Sequence, residues 1–190
     1  MSDFKIKLNF FLTLCFLVTL AGCLSTPTKI ESSFKDKNLT KPYSSILVYT
    51  VEIDKSKVTG SKNLIRSSQR KMNNVDTFLV ENLNSAGVTS IHKSGDVSKE
   101  TLKKLIATHP QYSAVLFNFF KSKKTRSGGG SSFSWLRTNY TLYDLKTGKK
   151  VAQIKAELNA NTSLTQNYSK ENAKTILNEL QTKNIVCCSK

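Results

Sequence analysis

Residues 45–51 read SILVYTV, a run of β-favouring side chains with no polar alternation. A strand apolar on both sides has to be covered on both sides, as in a parallel or mixed sheet flanked by helices. The chain downstream supplies the covering elements. Met72, Val75, Leu79, Leu83 and Ala86 recur at helical spacing, which predicts a long helix over 63–86 with Gly87 as its C′ residue. A short strand at Val88–Ile91 follows. Ser98 is placed to cap a second helix carrying Leu102, Leu105 and Ile106, which Pro110 stops.

The second half reads as strands. Tyr112–Phe120 is hydrophobic, and Leu136, Tyr140 and Leu142 alternate with Arg137, Asn139 and Thr141. Ala152, Ile154, Ala156, Leu158 and Ala160 alternate with polar residues in a further strand, reached through the turn chemistry of Asp144–Gly148. A last helix, starting near Ser169, places Ala173, Ile176, Leu177 and Leu180 on one side. The order β-α-β-α-β-β-β-α predicts one α/β (α+β) domain. Its mixed sheet begins with parallel strands joined through helices and ends in an antiparallel meander, with the helices packed on the sheet.

The amino terminus has a separate purpose. Lys5 and Lys7 precede an apolar segment from Phe10 to Leu20, then Leu20-Ala21-Gly22-Cys23. Basic residues, an apolar core and small residues before a cut are the layout of a secretory signal. The segment is shorter than the roughly 20 residues that span a bilayer. The four residues ending at Cys23 resemble the lipobox of bacterial lipoproteins. That resemblance implies cleavage before Cys23, acylation of its thiol and new amine, and attachment to a membrane by lipid. Leu24, where an Asp would retain the protein in the inner membrane, implies the outer membrane, facing the periplasm. The expected division is a signal over 1–22, a lipidated flexible tether over 23–41 and an α/β periplasmic domain over 42–190. The tether is read as flexible because residues 24–41 are polar and lack apolar periodicity.

Lys and Arg number 29 against 13 Asp and Glu, a net charge of +16. In a cytosolic chain this excess would point to nucleic acid. An exported chain meets anionic lipid, lipopolysaccharide phosphates or an acidic partner instead, so no nucleic-acid role is expected. Lysines spread along the chain also suit plain solubilisation. The densest group is Lys121, Lys123, Lys124 and Arg126, read as a mobile basic loop running into Gly128–Gly130. Phe133 and Trp135 follow it closely, a combination that suits a membrane interface or a protein contact.

The Ser113–Asn118 strand and the hairpin YTLYDLKTGKKVAQIKAEL at 140–158 resemble small envelope lipoproteins with a TolB-amino-terminal-like or curli-export-like domain. Tyr143–Lys149 carries most of the likeness. The resemblance implies a binding or assembly module of the periplasm, or a subunit of a ring-forming secretion apparatus.

Signs of catalysis are absent from the sequence. His92 and His109 have no companions at metal-ligand spacing and read as surface or capping residues. Asp144 opens a turn, a structural position. Of four cysteines, Cys15 leaves with the signal and Cys23 takes lipid. Cys187 and Cys188 are left to pair with each other, to pair between molecules or to stay reduced. No cofactor or metal is expected. The resulting expectation is a non-enzymatic, lipid-anchored envelope protein that docks anionic envelope components or an unidentified envelope protein. The alternative is an outer-membrane secretion or pore-forming ring that inserts strands from 121–135. Spanning strands need about 9–11 alternating residues each, and the basic, glycine-rich stretch does not supply them.

Overall fold

The computed structural model describes residues 28–54, 56, 62–128, 131–160 and 165–187. The elements are β1 (Lys29–Lys35), β2 (Ser45–Val51), α1 (Lys62–Ser85), β3 (Thr89–Gly95), α2 (Lys99–Thr108), β4 (Ala114–Gly128), β5 (Ser131–Asp144), β6 (Lys150–Asn159) and α3 (Thr165–Thr182). The strands form a 6-stranded sheet in the order β1-β6-β5-β4-β2-β3. β2 pairs in parallel with β3 and β4, while β4, β5 and β6 form the antiparallel meander. The mixed α/β architecture expected from the sequence is the one observed. Among the described residues no helix is long and apolar enough to cross a membrane.

β2 is covered as its composition requires. Ile46 and Val48 belong to a core filled from α1 by Met72, Leu79 and Leu83, and from α3 by Ile176 and Leu180, all fully buried. Each such side chain contributes about 1.5–3 kcal/mol. Leu47 and Tyr49 point the other way, into a smaller cluster with Val115 and Phe117, against which Leu105 of α2 packs. The helix boundaries follow local chemistry. Gly87, at φ +80°, takes the left-handed conformation that closes α1. The Ser98 hydroxyl accepts the Thr101 N–H at 3.1 Å and opens α2.

Two segments depart from the sequence reading. Lys29–Lys35 is a strand and not part of a flexible tether. It pairs antiparallel with β6, from Lys29 opposite Glu157 to Lys35 opposite Ala152, with a bulge between Ile30 and Ser32. Ile30 is half-buried against the core and Phe34 is exposed, so the strand is held mainly by its backbone ladder. A ladder leaves no apolar periodicity to read. The folded unit therefore already includes residues 28–35 and does not begin at 42.

The second departure concerns 121–128, expected as a loop. β4 continues through it to Gly128, facing β5 from Ser122 opposite Arg137 to Gly128 opposite Ser131, after a bulge between Phe120 and Ser122. β2 leaves β4 after Asn118, and β6 leaves β5 at Trp135. Beyond those points β4 and β5 continue as a two-stranded arm.

The chain after α3 is also placed. Val186 bridges Tyr43 in parallel, and Ile185 and Val186 are fully buried. Cys187 follows them half-buried. Cys188 lies outside the described residues, as do Cys23 and the rest of 1–27.

Candidate functional site

One group of buried polar residues converges on Asp76 of α1, which is fully buried. Tyr140 donates its hydroxyl to Asp76 Oδ1 at 2.9 Å. Asn118 donates Nδ2 to Oδ1 and Oδ2 at 3.1 and 2.9 Å, and the Thr50 hydroxyl donates to Oδ2. His92 Nε2 lies 2.8 Å from the Thr50 oxygen. With the Thr50 proton committed to the carboxylate, His92 donates from Nε2. Burial raises the Asp76 pKa to about 6, even though the Thr50, Asn118 and Tyr140 bonds favour the charged form. Burial also lowers that of His92.

No sequence motif singles out Asp76, and His92, which reads as a surface or capping residue, is half-buried beside Thr50. The signal is in the spacing: Asp76 is four residues after Met72 and three before Leu79, on the core stripe of α1. Asn118 follows Leu116 at strand spacing, and Tyr140 precedes Leu142 in the same way. Fully buried, this carboxylate ties α1 to β2, β4 and β5.

The accessible site lies at the carboxyl ends of the parallel strands. β2 is followed by a helix on one face of the sheet, β3 by a helix on the other, and β4 returns on the opposite flank of β2. Connections that part in this way open a crevice at the strand ends. Here it measures about 700 Å³, lined by Glu52 and Asp54 beyond β2, Asp96 and Val97 beyond β3, and Phe119, Phe120 and Lys121 of β4. It shares Val97 and Phe119 with a neighbouring, mainly apolar groove of about 350 Å³. Leu47, Val115, Phe117 and Tyr143 form its floor, and Leu105 and Ile106 of α2 form its wall.

Aromatic packing sets the floor: Phe117 meets Tyr49 edge-on at 5.5 Å and Tyr143 edge-on at 5.9 Å. Tyr49 donates to the Asp96 carbonyl at 3.0 Å, which positions the mouth. A Cβ at Gly95 would come within 2.5 Å of that hydroxyl, so only glycine leaves it room. Ile106 is 43 % exposed and Val97 37 %, high for apolar side chains of this size. The groove half of this trough is thus mainly apolar, with Asp144 also among its lining residues, and the crevice half sets three carboxylates and one lysine beside its apolar side chains.

The four basic residues expected to act together are divided by the strand. Lys121, at the bulge, lines the crevice. Lys123, opposite Leu136, faces the helices. With Arg70 it adds to the burial that lowers the Lys71 pKa. Lys124 and Arg126 face the other way, opposite Trp135 and Phe133. There Lys124 lies 4.0 Å from Glu157, and Arg137 donates Nε to the same carboxylate at 2.7 Å, holding the Glu157 pKa below its usual range.

Asp144 is structural, as its turn position implied. It accepts Tyr43 OH at 2.9 Å, the Thr147 N–H at 2.7 Å and the Thr147 hydroxyl at 2.8 Å. His109 caps α2, its Nδ1 3.1 Å from the Leu105 carbonyl. Among the described residues no group of three or more His, Cys, Asp or Glu is placed to hold a metal.

No family model matches the chain, and no curated protein matches it. Among solved structures it is similar to a PelC dodecamer from Paraburkholderia phytofirmans, at 10% identity and TM-score 0.47 over 78% of this chain and 94% of that one. It is also similar to lipoprotein GNA1162 from Neisseria meningitidis, at 16% identity and TM-score 0.41 over 73% of this chain and 99% of that one.

Proposed function

We propose that the protein is a lipid-anchored, non-enzymatic binding module of the bacterial envelope, held at the outer membrane and facing the periplasm. The trough takes an apolar segment of a protein partner that carries a lysine or arginine beside its apolar residues. The observation that carries this reading is the trough itself. It is an open, mainly apolar depression at a topological switch point, with Glu52, Asp54 and Asp96 in its crevice, on a chain that is otherwise strongly basic. Carboxylates at the mouth give the partner orientation, and the aromatic floor gives it buried area. The signal and Leu20–Cys23 support the anchor. The ring alternative gains little from the long β4–β5 arm, because Lys121–Gly128 contains no apolar residue and offers lipid no continuous face.

Two measurements check the proposal. Cys23→Ser is expected to abolish labelling by a fatty-acid analogue and to leave the precursor unprocessed; undiminished labelling refutes the anchor. A photo-crosslinking residue at Ile106 is expected to trap a discrete partner in cells. The same residue at Phe34, 49 % exposed on the β1 edge, is not. Equal crosslinking from both positions, or none from Ile106, removes the trough as the binding site.

A further inference from the structure

We propose that the open sheet face at the root of the β4–β5 arm is a second membrane contact, with Lys124, Arg126, Phe133 and Trp135 docking on anionic phospholipid headgroups. The inference rests on the lipid anchor proposed above and adds which side of the domain meets the bilayer.

Chain length comes first. Thr28 is already held in the fold by its bond to Asn172, and only five peptide units separate it from Cys23, at most about 18 Å fully extended. Thr28 and Lys29 line one concavity of about 560 Å³ with Lys124, Arg126, Trp135 and Glu157. The point where the anchor enters the fold is therefore beside the basic and aromatic side chains of the arm. β3 lies at the far edge of the sheet, about 24 Å from β1 at usual strand spacing. A lipid on Cys23 thus holds the β1 side of the domain, and this face with it, near the bilayer.

Register supplies the chemistry. Lys124 stands opposite Trp135 and Arg126 opposite Phe133, which places both cations and both rings on one face. The rings stack at 6.3 Å, and Phe133 is 39 % exposed. Tryptophan and basic residues side by side suit the headgroup layer, where the ring sits among glycerol groups and the cation meets phosphate. Lys29, Arg137 and Lys155 extend the same face, against Glu31 and Glu157. Glu157 is engaged chiefly by Arg137, and the balance of the face remains positive. Attraction of this kind decays over about 8 Å at physiological salt, so it needs the closeness that the short link provides.

Trp135 is the one tryptophan of the chain and reports directly on the contact. The lipidated full chain is reconstituted in phosphatidylcholine vesicles with and without phosphatidylglycerol, and Trp135 emission is read with brominated lipids as quenchers. The expected result is a blue shift and quenching that require phosphatidylglycerol and fade as salt is raised. In Lys124→Ser, Arg126→Ser the docked-to-undocked ratio is expected to fall roughly 30-fold, about five-fold per charge. Trp135 unquenched on anionic vesicles, or quenched equally on neutral ones, overturns the docking face. Flotation of the same sample reads the anchor separately. A chain that floats with Trp135 unquenched defeats the docking face alone, whereas a wild-type chain that fails to float defeats the anchor and the docking with it.

Discussion

At about pH 4, Asp76→Ala is expected to lower the unfolding free energy by about 3–5 kcal/mol, a large share of the roughly 5–15 kcal/mol typical of a domain. Removing the carboxylate leaves the Thr50 hydroxyl and the Asn118 amide without their main acceptor, and Tyr140 without its own, in a site closed to water. Asp76→Asn keeps the shape and is expected to cost far less, and it also isolates the titration. The folded pKa of about 6 lies above the ordinary aspartate value of 3.8. The folded state therefore binds the proton more tightly than the unfolded one. Its stabilising effect is complete below about pH 4 and is lost as pH rises through about 6, a change of about 3 kcal/mol. His92 pulls the other way: burial lowers its pKa, so acid favours the unfolded chain, in which it protonates freely. The wild-type minus Asp76→Asn difference in denaturant midpoints from pH 4 to 7 is thus the readout. A flat difference would show that Asp76 is not held in the closed site described.

The second large effect is expected from deleting residues 1–41. A chain beginning at Pro42 loses the β1 ladder, the Asp36 N–H bond to the Val151 carbonyl at 2.8 Å and the Ile30 contact with the core. The loss is expected to be about 3–6 kcal/mol, with a melting temperature lower by roughly 10 °C or more. It also exposes β6, whose Ala152, Ile154 and Ala156 flank an unpaired backbone edge, so concentration-dependent association is expected. Light scattering and thermal melts of chains beginning at Leu24 and at Pro42 make the comparison. Equal stability and equal size would return Lys29–Lys35 to the status of a tether.

The sequence exposed the elements whose side chains enter the core. The β2 run, the 72-75-79-83 stripe of α1, the Ser98 cap and the alternation in β6 each leave a pattern in hydrophobicity or chemistry, and each is where it was expected. β1 and the arm were hidden for a shared reason. Their ladders are made of backbone groups that every sequence carries, and their side chains are mostly solvated. The trough was hidden differently. Its lining residues, Leu105, Phe117 and Phe119 among them, read as ordinary core residues, and only the crossing of the chain over β2 sets a groove beside them. Asp76 was legible in principle, as a charge standing on an apolar stripe.

The position of β1 also decides how the molecule carries load. If the chain is fixed to a surface through Cys23 and gripped by a partner at the strand ends of β2 and β4, as proposed above, it is pulled from both sides. The force passes from β1 through β6 and β5 to β4, one hydrogen-bonded ladder after another. The outermost ladder is the first to bear it. Pulled along its axis, β1 resists with every bond of the Lys29–Lys35 register at once, whereas pulled sideways it yields one bond at a time. Given the anchor and the partner proposed above, the edge strand would act as a mechanical coupling whose strength depends on the direction of pull.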